Sequence, residues 1–189
     1  MDLLEAVQIK RHRLTVEQFQ RMKEAGVFSP DARLELIEGQ VVELAPRGSR
    51  QHSAVSRISR LLSEAVGDRA IVCPQLAIRL DRMTELKPDL ALCTPGDDLY
   101  PSARPIGADA LLVIEVADTA LDYDVRVKGP LYARHGVPEY WIVDLPARAL
   151  RRFRTPRSDK YTDVSAFETP DIIALPGLQG TRVDLAGVL

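Results

Sequence analysis

Three residues in this sequence have types and spacing that suit phosphodiester chemistry: Asp89, Glu115 and Lys128. Asp89 opens the apolar stretch Pro88-Asp-Leu-Ala-Leu92, and Glu115 sits at the downstream end of Leu111-Leu-Val-Ile-Glu-Val116. Both stretches read as strands. An ionised carboxylate beside a core strand is costly unless a cation or several hydrogen bonds compensate it. Antiparallel pairing of these strands would bring Asp89 and Glu115 together. Two adjacent carboxylates repel unless one takes a proton or a cation lies between them. Magnesium suits such a pair, because it typically uses one or two protein carboxylates with waters and phosphate oxygens. The helix expected after Glu115 brings Lys128 within reach of the same end. An ammonium there could orient an attacking water or stabilise charge on a pentavalent transition state.

Spacing alone leaves ordinary readings open. Asp89 also reads as a strand-start cap, Glu115 as a salt-bridged strand end and Lys128 as a solvated helix charge. Glu35 lies on a hairpin strand, where pattern alone favours an exposed carboxylate. His52 opens a helix. It is either a pocket residue on that helix's inward stripe or a residue hydrogen-bonded at the core edge. Arg47 and Arg50, in the basic loop Pro46-Arg-Gly-Ser-Arg50, are candidates for contacting nucleic acid. Arg148, Arg151, Arg152 and Arg154 fit either a phosphate-contacting patch or an edge strand protected from aggregation.

The elements that must position these residues are legible in the pattern. Thr15 and Gln18 have the spacing of a capping box, with Val16, Phe19 and Met22 as the apolar stripe of a helix ending at Gly26. Arg33 to Leu44 reads as a hairpin around Glu38-Gly39, with Leu34 and Leu36 on one face and Glu35 and Ile37 on the other. A helix runs from about Gln51 to Val66, with positions 52, 55, 59, 62 and 66 assigned to its inward face. Ile71 to Leu80 reads as one strand, Asp81 to Glu85 as a polar turn, and Thr94 to Gly107 as a long loop. Asp118 to Asp124 lead into a helix that ends at Gly136, with Pro130 kinking it or marking where its regular part begins. Pro138 to Asp144 is another apolar strand. Strand, helix and strand at this spacing make a crossover, so the strands at 110–116 and 138–144 should be parallel. Arg148 to Arg154 and Lys160 to Val164 read as peripheral strands, and the remainder as irregular.

The chain has 189 residues, 46% hydrophobic and 28% charged, which fits one soluble domain over 1–189. Residues 1–13 read as a loose N-terminal segment and 165–189 as a peripheral C-terminal one. The net charge of −2 gives no global attraction to nucleic acid, so binding must rest on a local patch. The apolar runs are too short to span a bilayer, and the N-terminus lacks a signal-peptide pattern. Cys73 and Cys93 have no metal-ligand spacing and read as buried free thiols. A cytoplasmic protein with no membrane partner is therefore expected.

At the candidate residues the chain resembles a known family. The carrying motifs are Arg33-Leu-Glu-Leu-Ile-Glu-Gly39, His52, Lys87-Pro-Asp89-Leu, Glu115-Val-Ala-Asp-Thr119, Tyr123-Asp124 with Lys128, Tyr132-Ala133, and Gly136-Val-Pro-Glu-Tyr-Trp-Ile-Val-Asp144. Together these are similar to the Uma2 family, formerly DUF820, within the PD-(D/E)XK restriction-endonuclease-like nucleases. The resemblance covers roughly Leu14 to Phe153. It implies an α/β fold: a restriction-endonuclease-like core with a mixed central β-sheet flanked by helices, preceded by an N-terminal helix and a β-hairpin. It also implies a magnesium-dependent site, with manganese as a substitute, in which Asp89 and Glu115 match the metal-binding carboxylates. The usual lysine two residues after the glutamate is absent, since position 117 is Ala. The family's lysine is thought to have moved to the following helix, which points to Lys128. Glu35 and His52 match the hairpin glutamate and the helix histidine. The implied activity is metal-dependent DNA endonuclease, with DNA as partner and a homodimer as a further expectation. The rival classes are a non-catalytic nucleic-acid-binding or interaction module that keeps the fold, and a metal hydrolase of small phosphoesters.

Overall fold

In the computed structural model, which describes residues 11–96, 105–168 and 172–188, the strands assemble into two main sheets and a small C-terminal pair. Part of the expected 94–107 loop and most of the expected loose start lie outside the described residues.

The N-terminal part builds a platform. Helix α1 (Val16–Glu24) starts where expected: Gln18 N donates to Thr15 Oγ1 and Thr15 N to Gln18 Oε1, which satisfies two end amides reciprocally. Its Val16 and Phe19 pack on Leu34 and Leu36 of a hairpin, β1 (Arg33–Ile37) and β2 (Gln40–Leu44). The hairpin turns at Glu38 and Gly39, both at positive φ (47° and 80°), as a two-residue primed turn requires. That turn sets the register Leu36↔Val41 and Glu35↔Val42, so Glu35 points away from α1.

The stretch expected as one strand at 71–80 is two. Gln75 adopts φ 53°, which breaks the extended run after Pro74. Strand β3 (Ile71–Pro74) joins the central sheet, whereas β4 (Ile78–Arg79) and β5 (Glu85–Leu86) extend the hairpin into a four-stranded sheet, β2-β1-β5-β4. The polar turn expected through Glu85 therefore ends earlier, with Glu85 in β5.

The central sheet has the order β10-β9-β8-β7-β6-β3. It contains β6 (Leu90–Cys93), β7 (Ala110–Ala117), β8 (Glu139–Asp144), β9 (Ala149–Arg157) and β10 (Lys160–Phe167). As expected, β6 runs antiparallel to β7, with Leu90↔Ile114, and β8 runs parallel to β7, with Glu115↔Ile142. The sheet is therefore mixed. Both faces are covered, so all six residues of β8 are buried.

One face carries Leu90, Leu112, Ile114 and Trp141. It packs on α2 (Ser49–Val66) through Val55, Ile58 and Leu62. The C-terminal residues complete this layer. Read from sequence as irregular, they form an antiparallel pair, β11 (Ile172–Ala174) and β12 (Arg182–Asp184), whose Ile173 and Val183 are buried in the same core. Alternation over three residues is too short a signal to stand out in sequence. The opposite face carries Ala91, Val113 and Tyr140 and packs on Leu131 and Tyr132 of the crossover and on Ile78 and Leu86.

The crossover is three helical pieces: α3 (Leu121–Tyr123), a π-helical turn (Asp124–Lys128) and α4 (Gly129–Arg134). Gly129 N donates to Asp124 O, five residues back. Pro130 has no N–H and its ring would strike the carbonyl four residues earlier, which opens the turn. Among the described residues, no helix is long and apolar enough to cross a membrane. Cys73 and Cys93 are buried free thiols.

Candidate active site

Strand pairing alone brings the two carboxylates together. The register Leu90↔Ile114, extended by one residue, sets Asp89 opposite Glu115 on the face that carries Ala91 and Val113. A direct bond fixes this placement: Val116 N donates to Asp89 Oδ2 at 2.9 Å. Both residues line a cavity of about 200 Å³, together with Lys128, Asp124, Tyr123 and Gln51.

Lys128 lies at the centre of a carboxylate cluster. Its Nζ is 2.8 Å from Glu115 Oε1, 3.0 Å from Glu35 Oε1 and 3.9 Å from Asp124 Oδ1, with only 2% of the side chain exposed. The π turn puts Asp124 and Lys128, four apart, on the same side as the sheet's carboxylates. Burial works against the ammonium, but Glu115, Glu35 and Asp124 outweigh it and hold the Lys128 pKa above its usual value. The same cluster raises its acids. Burial first, and then repulsion by neighbouring carboxylates against the pull of Lys128, lifts Asp124 to about 6 and puts Glu115 well above the ordinary range.

Glu35 is buried, not the exposed hairpin carboxylate that its pattern favours. The second sheet lies against this end of the central sheet, and Glu35 accepts Lys87 N at 3.0 Å and Tyr123 OH at 3.1 Å as well as Lys128. Tyr132 OH donates to Glu115 Oε1 at 3.3 Å.

His52 lies elsewhere. It is exposed, with Nδ1 3.4 Å from Gly48 O, and it lines a neighbouring cleft rather than the carboxylate cavity. The buried stripe of α2 is Ala54, Val55, Ile58, Leu62 and Val66, rotated from the expected one. On that stripe Gln51, not His52, comes to the site, where its Nε2 donates to Asp89 Oδ2 at 3.1 Å. Arg47 also turns inward: its Nε donates to Asp89 Oδ1 at 2.5 Å, and its side chain is 5% exposed. Arg50 reaches Leu145 O at 2.7 Å and is 3.7 Å from Asp118. On β9, Arg151 pairs with Asp144, Arg154 with Asp163, and Arg152 stacks over Phe167.

Sequence reading thus did not place Gln51, Asp124, Tyr123 or Tyr132 in the candidate site, although Tyr123-Asp124 and Tyr132 lay in the motifs that carried the family resemblance. For Asp124 a signal existed, since it lies four residues before Lys128 on a helical segment. For Gln51 the signal was the centre of the apolar stripe at Val55, Ile58 and Leu62.

The family profile described as Uma2, putative restriction endonuclease, matches residues 16–186. The chain belongs to the Uma2 family. No curated protein matches. The fold is similar to a crystal structure described as a putative nuclease belonging to DUF820 from Anabaena variabilis, with a TM-score of 0.70. The match covers 93% of this chain and 97% of that one at 14% identity, which supports likeness of fold. This Uma2 chain therefore has the mixed-sheet architecture expected for the family, with its N-terminal helix and hairpin in place.

The donor set has the character a hard divalent cation needs. Among the described residues, no three or more His, Cys, Asp or Glu side chains are spaced to hold a metal ion. Magnesium does not require three; one or two carboxylates with waters suffice. Four buried carboxylates, Glu35, Asp89, Glu115 and Asp124, gather around Lys128 and Arg47, so oxygen donors of the kind magnesium takes outnumber the buried cations in direct contact with them.

Proposed function

We propose that this Uma2 protein is a metal-dependent endonuclease that hydrolyses phosphodiester bonds in DNA. Asp89 and Glu115 would hold magnesium, or manganese in its place, through carboxylate oxygens. When bound, the cation supplies Lewis-acid polarisation of the phosphate and lowers the pKa of a water. Lys128 presents an ammonium beside Glu115, where it would orient an attacking water and meet negative charge growing on the phosphoryl oxygens. Glu35 and Asp124 keep the ammonium charged, Tyr132 steers Glu115, and Gln51 steers Asp89. His52 takes no part in this pocket. The observation that carries the reading is a fully buried lysine bonded to Glu115 beside Asp89 in an open-mouthed cavity. A structural ion pair does not need four acids.

A second reading rests on Asp89. Arg47, Gln51 and Val116 N together engage both of its oxygens. On that reading the fold serves as a non-catalytic nucleic-acid-binding module. The two are separated by incubating supercoiled plasmid with the protein in magnesium or manganese. Nicking or linearisation that disappears in Asp89→Ala is expected. Binding without cleavage in either metal selects the module, and turnover of a phosphodiester dye but not of DNA selects a small-phosphoester hydrolase.

A further inference from the structure

On the far side of Arg47 from Asp89 lies a second, larger cleft of about 430 Å³. Its charged lining is one-sided: Lys23, Arg33, Arg47 and Lys87 against the single acid Asp31, with His52 beside them. The cleft meets the carboxylate cavity at Arg33 and Pro46, which line both. Arg47 joins the two sides: its Nε bonds Asp89, and its side chain lines the basic cleft. Its Nη2 is buried and lacks a hydrogen-bond partner among the described residues. A buried guanidinium nitrogen with no acceptor carries an uncompensated desolvation cost. A planar guanidinium matches phosphate oxygens in geometry and charge. Burial, and then repulsion by Arg47, lowers the pKa of neighbouring Arg33, and an anion in the cleft that both line would offset that repulsion.

We infer that this basic cleft is a phosphate subsite, which holds the backbone phosphate adjacent to the scissile one, with Arg47 and Arg33 at its inner end and Lys87 and His52 at its mouth. The inference rests on the nuclease reading for the position of the scissile phosphate. It also explains how a chain of net charge −2 engages DNA: attraction is confined to one groove that leads to the carboxylates.

The test is fluorescence anisotropy of a labelled short duplex with the full chain, with calcium replacing magnesium, across a salt series. Arg47→Gln removes the inner charge. Lys87→Glu reverses an exposed one and does not disturb the core. Arg60→Glu, on the outer face of α2, is the control with the same change in net charge as Lys87→Glu. Lys87→Glu and Arg47→Gln should each weaken binding about tenfold relative to Arg60→Glu, and lower the slope of log affinity against log salt by about 1, as loss of one phosphate contact does. Affinity and slope equal to those of Arg60→Glu would overturn the subsite. If the wild type also cleaves DNA, only the subsite falls. Weaker variants of a wild type that binds but never cleaves keep the subsite and retire the nuclease. A wild type with no affinity for the duplex overturns both. Arg47-dependent binding of inorganic phosphate by such a protein would mark a free-anion site instead.

Discussion

Lys128 concentrates the residue-scale physics. Its ammonium is the central positive charge among Glu115, Glu35 and Asp124, and all four groups are buried. From sequence alone, Lys128→Ala should abolish most cleavage and leave folding largely intact. The burial changes the second half of that expectation. Removing one partner of a buried ion cluster leaves uncompensated charge and costs about 3–5 kcal/mol. Lys128→Ala should therefore cut cleavage about 10²–10³-fold and also lower the melting temperature clearly, both measured at saturating magnesium. Wild-type rates would show that another group supports the chemistry. Asp124 gives a pH prediction. Its pKa rises from 3.8 to about 6 on folding. Between those values the native state holds a proton that the unfolded state has lost. The stabilisation is full below about pH 4 and is lost as pH rises through 6, to the extent of about 3 kcal/mol. Asp124→Asn, which stays neutral, should flatten urea-unfolding stability over pH 4–6 in metal-free buffer. An unchanged slope would assign the titration elsewhere.

At the element scale, Lys128 reaches the carboxylates from a crossover that is not a regular α-helix. The π turn from Asp124 to Lys128 adds one residue to the turn and sets the rotation of Lys128 over the end of β7. Pro130 enforces it sterically, and Tyr140 braces it by donating from its OH to Asp124 O at 3.3 Å. Replacing Pro130 with Ala restores an N–H and removes the clash, so the segment can relax toward α-helical hydrogen bonding. Pro130→Ala should keep or raise the melting temperature while cleavage falls at least tenfold, because a small misplacement of a catalytic group is costly in rate. Unchanged cleavage would mean that packing on the sheet, not the proline, sets the lysine's rotation. The hairpin has the matching role for Glu35. Gly39 leaves no room for a side chain, since a Cβ there would stand 2.5 Å from that of Arg13, so the turn and the register behind it are fixed.

For the whole molecule, the site lies where two sheets meet, and on the proposed function a divalent cation would bind its clustered acids in the native state alone. A ligand that binds only the native state stabilises it by mass action, by about 2.7 kcal/mol at one hundred times its Kd. For a chain of this size each kcal/mol shifts the midpoint by about 2–4 °C. Magnesium should then raise the melting temperature by several degrees at pH 7.5. The shift should shrink toward pH 5, as protons compete with the metal for Glu115, whose pKa burial raises. Asp89→Asn should remove most of it at both pH values. A thermal shift of equal size in Asp89→Asn would place the metal elsewhere.

The sequence by itself determined most of the helices and longer strands and three of the pairings, β1 with β2, β6 with β7 and β7 with β8. Local rules suffice for those: a capping box at Thr15, period-two alternation in the hairpin, an apolar run ending in Glu115, and a crossover that makes β7 and β8 parallel. These rules also brought Asp89 to Glu115, because antiparallel register is a property of two adjacent segments. The tertiary structure alone decided which polar groups are buried. Glu35 reads as exposed until a second sheet covers it. His52 and Gln51 are neighbours in the chain; the apolar stripe of α2 hinted at the glutamine, and packing of that stripe on the sheet brings it to Asp89. The break at Gln75, which divides one apparent strand between two sheets, is invisible to periodicity because the alternation continues across it. Arg47 shows the same limit most plainly. A loop arginine in a basic run looks solvated, and its place on Asp89, between an acidic cavity and a basic cleft, follows from long-range packing that no local pattern encodes.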